Sequence, residues 1–431
     1  MAARTSGLGR DFANLFTANL ASSLGDGIVR TSMPLLAARI THDPFAISAI
    51  AALALLPWLF FAIPAGILID GVDRRKALAL AQAVRTILGV VTFLLVLTGS
   101  LTIWWIYAII FVYGAFETVY DGAIRAVVPS VLGKSDLPRG NSRIEGGELI
   151  VQNFLAGPIT SALFVVSVLI PLGATGVVFA FAGALALLLP KVASGTQFTA
   201  ATHAQPRVPW YRQFVDGLRF IMDNRMLRTL WFFSTFGGLM SSAATASFVL
   251  YILDTLKVPE GLFGAFLLTG AVGGLIGAVV ANRLKHLWGT GLTMAIATTT
   301  SGVAFAFVGL VPTLWAGALG FAASSLAITI WNILVISLRQ SVIPGRLLGR
   351  VHGTWRTLLW GSMPLGALLG GLLARAGLSL PFIIGGALEA IASILFFRFL
   401  MSLPNPEDVD NGDSVLVADP GPGPTDPVLE R

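Results

Sequence analysis

The residues best able to do chemistry in this chain are a few charged side chains set inside long apolar runs. Asp26 lies mid-way along one run, with Arg30 four residues on, a spacing that puts both on one helix face and lets them pair. Glu117, Asp121 and Arg125 repeat that spacing in another run, and Glu145 and Glu148 follow Arg143 at the start of a third. An ionised group in hydrocarbon costs about 2.5–3.5 kcal/mol on insertion scales, so each is expected to have a partner or a task. Burial raises a carboxylate's pKa and a neighbouring arginine lowers it. That opposition suits a group that takes up a proton on one side of a membrane and releases it on the other. The competing account is structural, with each carboxylate permanently neutralised by its arginine. Glu389 has no charged neighbour in its run, while Asp254 and Glu260 fall at a rim where water would solvate them.

A second cluster is Gly66-Ile-Leu-Ile-Asp70-Gly71-Val72-Asp73-Arg74-Arg75-Lys76, a sharp basic turn between two apolar runs. A carboxylate at such a helix end can cap the positive N-terminus of another helix or pair with arginine. Alternatively, the bases simply hold the turn on one side of a membrane. Other chemistries are excluded. Gly133-Lys134-Ser135 lacks the first glycine of a phosphate loop, which would fall at Val128, and the glycines from Gly270 to Gly277 lie inside an apolar helix with no preceding strand. No metalloprotease, serine-hydrolase or paired-cysteine zinc pattern occurs. With no cysteine and four scattered histidines, neither a metal site nor a cofactor nor an enzyme is expected.

What positions these residues follows from composition. Of 431 residues, 55% are hydrophobic and 12% charged, against about 25% charged in a soluble domain. A mean hydropathy of +0.82 leaves too little polar surface for water, so the expected solvent is lipid. The net charge of +6 is that of basic loops rather than of a nucleic-acid binder. A bilayer core needs about 20 apolar residues per helix. The chain supplies twelve such stretches, at 12–39, 45–70, 76–98, 102–128, 143–169, 173–190, 228–253, 260–283, 290–310, 313–338, 347–374 and 380–401. Alternate loops carry nearly all the Lys and Arg, the other side only Arg39, Lys257 and Arg375, which predicts both termini in the cytoplasm. The fold class is therefore an all-α membrane protein of two six-helix bundles, 1–190 and 228–402. They are joined by a cytoplasmic linker at 191–227 with an interfacial amphipathic helix from Trp210 to Met226, and followed by a disordered acidic tail at 403–431.

The halves read as repeats. Gly66 to Asp70 ends the second stretch as Gly277 to Ala281 ends the eighth, and Arg125 with Pro129 ends the fourth as Arg339 with Pro344 ends the tenth. Small residues four apart (Ala62 and Gly66, Gly270 to Gly277, Gly366 and Gly370) predict close helix packing. The turn resembles the major facilitator superfamily signature G-x-x-x-D-[RK]-x-G-[RK]-[RK]. Gly66, Asp70, Arg74 and Arg75 match it, while Gly71 and Asp73 stand where a base and a glycine are usual. Leu24-Gly25-Asp26-Gly27, Pro64-Ala65-Gly66, Val72-Asp73-Arg74-Arg75, Asp136-Leu137-Pro138 and Leu348-Gly349-Arg350-Val351 are similar to the macrolide-efflux and enterobactin-exporter branch of proton-coupled drug antiporters.

The resemblance implies alternating access around a midplane cavity, with Asp70 latched to the start of the eleventh helix near 345–350. Phe111, Tyr113, Phe116, Trp331 and Trp355 are candidates to line the cavity. It implies export of small amphipathic compounds, drugs or siderophores, in exchange for protons, by a monomer in a bacterial cytoplasmic membrane. Asp26, Arg30, Glu117, Asp121, Arg125 and Glu148 are its candidate coupling and cavity residues. A nutrient importer of the same fold, and a receptor that binds without transporting, are the alternatives.

Overall fold

In lipid a backbone must satisfy its own hydrogen bonds, and helices do so within one segment. The computed structural model describes residues 8–194 and 210–409, and all its regular elements there are helical. The first half comprises α1 (Arg10–Ile40), α2 (Pro44–Gly71), α3 (Arg74–Leu97), α4 (Ile103–Val131), α5 (Leu137–Val166) and α6 (Leu169–Leu187). The short α7 (Trp210–Asp223) precedes α8 (Arg225–Thr245), and a bend of 43° leads into α9 (Phe248–Thr255). There follow α10 (Phe263–Leu310), α11 (Leu314–Val342), α12 (Gly345–Ala376), α13 (Leu380–Leu395) and α14 (Phe397–Met401).

Local chemistry sets several starts. Asp43 accepts from the Phe45 N–H at 3.1 Å just before Pro44, Asp73 accepts from the Arg75 N–H at 3.0 Å, and Asn224 accepts from the Leu227 N–H at 3.0 Å. The long α10 is two helices in fact, broken at Gly289, whose φ of 77° and ψ of 166° no side chain would favour. Asn405 secures the break by accepting from the Thr290 N–H at 2.9 Å. Residues 403–409, which composition assigns to the tail, thus include an ordered 3-10 turn (Pro406–Asp408), with Lys285 paired to Glu407 at 2.9 Å. Positions 195–209 of the expected linker and 410–431 of the expected tail lie outside the described residues.

Each expected stretch falls on a helix with ends moved by a few residues. Among the described residues eight helices are long and apolar enough to cross a membrane, nine if the bent α8–α9 pair is one span. The exterior agrees: Val166, Leu395 and Val279 are 74–75% exposed, a surface that water would not tolerate. Conversely Asn19, Ser22, Asp26, Gln82, Arg85 and Glu117 are buried.

Within the first half α3 packs on α6 and α4, α2 on α4, and α1 on α6; within the second, α10 packs on α11 and α13, and α8 on α12. The most extensive pairings between the halves are α2 with α12 and α5 with α10, and α1 also meets α9. The apolar core follows the same division. The largest cluster draws on both halves, joining Val29, Leu36, Ile50 and Phe164 to Tyr251, Phe263, Phe305 and Phe382, and a small one of Ala52, Ala246 and Ala367 does too. At the opposite end there are two separate clusters, one around Phe12, Leu78, Tyr120 and Val127, the other around Ile221, Leu230, Leu334 and Trp355. The expected stripe of small residues is a contact surface: a β-carbon on Gly273 or Gly277 would strike the α11 backbone at Ala322 or Leu326. The apolar side of α7 packs in part on protein rather than wholly on a lipid surface. Ile221 is buried, and Thr354 of α12 donates to the Phe214 carbonyl at 3.2 Å.

Candidate functional site

Asp26 is buried in α1, but its partner is not Arg30. Arg85, in the middle of α3 and completely buried, donates from Nη2 to Asp26 Oδ1, and the Tyr113 hydroxyl donates to the same oxygen. Arg85 also donates from Nη1 to Ser22 Oγ at 3.0 Å and from Nη2 to Tyr113 Oη at 3.1 Å. Its guanidinium lies 4.7 Å from the ring centroids of both Tyr113 and Phe179. Three helices therefore close on one ion pair. The i, i+4 pairing expected within α1 fails because α1 presents Asp26 to α3 and α4, while Arg30, one turn on, reaches a different group.

That group is Glu117. Arg30 Nη2 donates to Glu117 Oε1 at 3.1 Å, with the Arg30 side chain 60% exposed and that of Glu117 11%. Asp121 is half-buried and Arg125 exposed, and neither forms an ion pair among the described residues. Glu148 accepts from Asn19 Nδ2 at 2.9 Å, which ties the start of a π-helical segment, Leu149–Ala156, to α1. Ala156 and Gln152 of that segment sit against Gly27, beside Asp26.

In the basic turn, Arg75 grips Asp73 through Nη2 to Oδ2 at 2.9 Å and donates to the Leu189 carbonyl at 3.1 Å, while Arg74 donates to the Ala126 carbonyl at 2.9 Å. Hydrogen bonds from Arg75 hold the Asp73 carboxyl below its ordinary range. Gly66 falls within α2, and the side chain of Asp70, with the latch to 345–350 that it would make, lies outside the described residues.

At the other end of the molecule, Glu260 is ion-paired and Asp254 is in hydrogen-bond contact with a histidine, rather than either being merely solvated. Arg39 meets Glu260 at 2.5 Å, His42 meets Asp254 at 3.1 Å, and Arg375 clasps Asp43 through two bonds at 2.8 and 2.6 Å. Every one of these pairs joins the first half of the chain to the second. They rim the end that the shared apolar cluster closes.

Beside the second-half cluster opens a cavity of about 500 Å³, lined from α8, α10, α11, α12 and α13 with Leu55 of α2 from the first half, and within the range of small-molecule sites. Trp331 and Trp355 line it as expected, with Trp360, Arg339, His352, Arg356 and Glu389. Of the other expected aromatics, Tyr113 belongs to the Asp26 cluster, Phe111 packs on Phe61 at 6.1 Å, and Phe116 packs in the first-half core. Glu389 Oε2 is buried without a hydrogen-bond partner among the described residues. No group of His, Cys, Asp and Glu among those residues has the arrangement of a metal site.

The sequence profile described as "transmembrane secretion effector", one of the major facilitator superfamily, matches residues 8–420. The chain belongs to this family. As a member of the major facilitator superfamily it is a multi-span membrane transporter, and its relatives are transporters rather than enzymes. The enterobactin exporter EntS of Shigella dysenteriae serotype 1 is 24% identical over 366 residues, 84% of this chain and 85% of that one. EntS of Escherichia coli O81 is 24% identical over 369 residues, again 84% and 85%. Among solved structures, a mutant form of the nucleoside transporter NupG superposes with a TM-score of 0.74 at 14% identity, covering 91% of this chain and 100% of that one. A bacterial homologue of the iron transporter ferroportin, in an inward-facing state, gives 0.66 at 16%, covering 91% and 100%.

Arg85 was the residue that helix-face spacing could not supply. Its signal was present all the same: an arginine mid-way through an apolar stretch needs a partner as much as Asp26 does.

Proposed function

We propose that this transporter exports small amphipathic compounds, drugs or siderophores, from a bacterial cytoplasm in exchange for protons. It works by alternating access, as a monomer, with both termini cytoplasmic. The reading takes twelve spans in two bundles, 1–190 and 228–402. They comprise the apolar helices, the bent α8–α9 pair as one, α10 divided at Gly289, α1 despite its charges, and α13 with α14.

The observation that carries it is the asymmetry of closure. One end is sealed by an apolar cluster, two ion pairs and a histidine–carboxylate contact drawn from both halves, while the other keeps two separate cores, the second of which lines a cavity that Leu55 of the first half also reaches. With the basic turn on the cytoplasmic side, this is an inward-open state. Proton exchange is assigned to Asp26 and Glu117: each shares its charge with an arginine, Glu117 with the exposed Arg30 and Asp26 with the buried Arg85. Export is favoured over import because the similar curated proteins bear the name of exporters.

The test is flux in proteoliposomes under an imposed pH gradient, with a catecholate siderophore and a macrolide as probes. Uphill movement of either against counter-moving protons, abolished in Glu117→Gln, is the expected result. Protons moving with the compound would make it an importer, and binding without flux would make it a receptor.

A further inference from the structure

The cavity wall carries a charge imbalance that the coupling residues leave unexplained. Arg339 is 6% exposed; its Nε donates to the Val335 carbonyl of its own helix at 3.3 Å, its guanidinium lies 4.6 Å from the Trp355 ring centroid, and no carboxylate pairs with it among the described residues. Its terminal nitrogens have no hydrogen-bond partner there and are not sealed from the cavity. Arg356 is sandwiched by Trp360 at 4.6 Å and Trp58 at 5.1 Å, and likewise lacks an ion pair among the described residues. His352 lies within Coulombic reach of both guanidiniums, and Arg125 of α4 is close enough to Arg356 to repel it.

Opposing these bases are two carboxyls. Asp121 attracts Arg356 but forms no ion pair with it, and Glu389 lies in the cavity wall. A carboxyl group can shed its charge by taking a proton, whereas a guanidinium cannot. The permanent charge of this apolar, tryptophan-rich space is therefore positive. Arg339 is a buried cation without a partner among the described residues, unfavourable unless an anion reaches it, and Arg356 and His352 stand exposed on the same cavity wall where such an anion would enter.

We propose that the cavity takes an aromatic amphiphile bearing a negative charge, its anionic group held by Arg339 and Arg356 and its rings against Trp331, Trp355 and Trp360. This rests on reading the chain as a transporter of amphipathic compounds, and it selects acidic compounds over cationic drugs within that class. Planar guanidiniums suit this task, since they offer paired donors to an acid while stacking on indole faces.

The probes are tetraphenylborate and tetraphenylphosphonium, which share size and shape and differ in the sign of charge. Binding to the full chain in zwitterionic nanodiscs is followed by tryptophan quenching, with empty nanodiscs subtracted. The anion should bind at least tenfold more tightly than the cation. Arg339→Gln and Arg356→Gln should each weaken the anion about tenfold and leave the cation unchanged, while Arg339→Lys and Arg356→Lys retain most of the preference. Equal affinities in the wild-type chain, or a preference for the cation, overturn the proposal without any variant. So does an anion affinity unmoved in both glutamine variants. Because binding is read without flux, anion binding that persists where transport is absent would refute the transporter reading alone.

Discussion

Replacing Asp26 by Asn tests which arginine the carboxylate neutralises. Asparagine keeps the volume and an acceptor but leaves Arg85, a side chain with no exposure and an Nε already unpartnered, as a buried cation. Breaking a buried pair from one side costs about 3–5 kcal/mol, a large share of the roughly 5–15 kcal/mol that holds a protein folded. Removing Arg30 should be milder, because its side chain is 60% exposed and the Glu117 carboxyl it leaves behind can shed its charge by taking a proton, which the guanidinium of Arg85 cannot. Thermal unfolding in detergent should therefore show Asp26→Asn lowered by roughly 5–10 °C and Arg30→Gln by about 2 °C or less. The double change Asp26→Asn with Arg85→Gln should recover most of the loss, since it removes the stranded charge; Asp26→Asn with Arg30→Gln should recover none. Recovery with Arg30→Gln in place of Arg85→Gln, or an Asp26→Asn variant as stable as the wild type, would refute the three-helix cluster. Flux measured beside stability separates a lost fold from loss of the proposed proton exchange.

Other consequences concern the closed rim. Arg375→Asp should increase spin-label distances across that end and raise its open population roughly twofold to fivefold, and adding Asp43→Arg should restore the short distances. Hydrogen bonds from Arg375 hold the Asp43 carboxyl below its ordinary value of 3.8, so this pair is complete above that value and is lost only as pH falls through the lowered one. The distance between Asp43 and Arg375 labelled neighbours should accordingly stay constant from pH about 8 to about 5. In Gly264→Val the new side chain would strike the Gly157 backbone, where Ser161 Oγ now accepts from the Gly264 N–H at 2.9 Å. Overpacking of about 1–3 kcal/mol at this crossing of α5 and α10 should shift the distances toward the open rim.

Helices, their membrane setting and the tryptophans of the cavity were legible in the sequence because hydropathy and length are properties of one segment at a time. The candidate carboxylates were legible for the same reason: Asp26 and Glu117 stand out against their own apolar surroundings. Their partners were not. Periodicity ranks neighbours on one helix, so it offered Arg30 to Asp26. The fold instead brings Arg85 from α3 to Asp26, and Glu117 from α4 to Arg30. Likewise Asp254 and Glu260 looked solvated because Arg39 and His42, their partners, lie more than two hundred residues away. The Gly289 break was visible as a short polar interval, but that Asn405 would brace it was not.

The apolar seal at the rim also gives the transport cycle a temperature. Opening that end separates Leu36, Ile50 and Phe164 from Tyr251, Phe263 and Phe382 and lets water onto surfaces that now touch. Wetting apolar surface carries a positive heat capacity, and the attraction it opposes weakens on cooling. The balance between the two facing states should then curve with temperature, with the rim opening more readily in the cold. A conformation captured on chilled protein would over-represent the form open at this rim, which in the proposed orientation is the outward-open one.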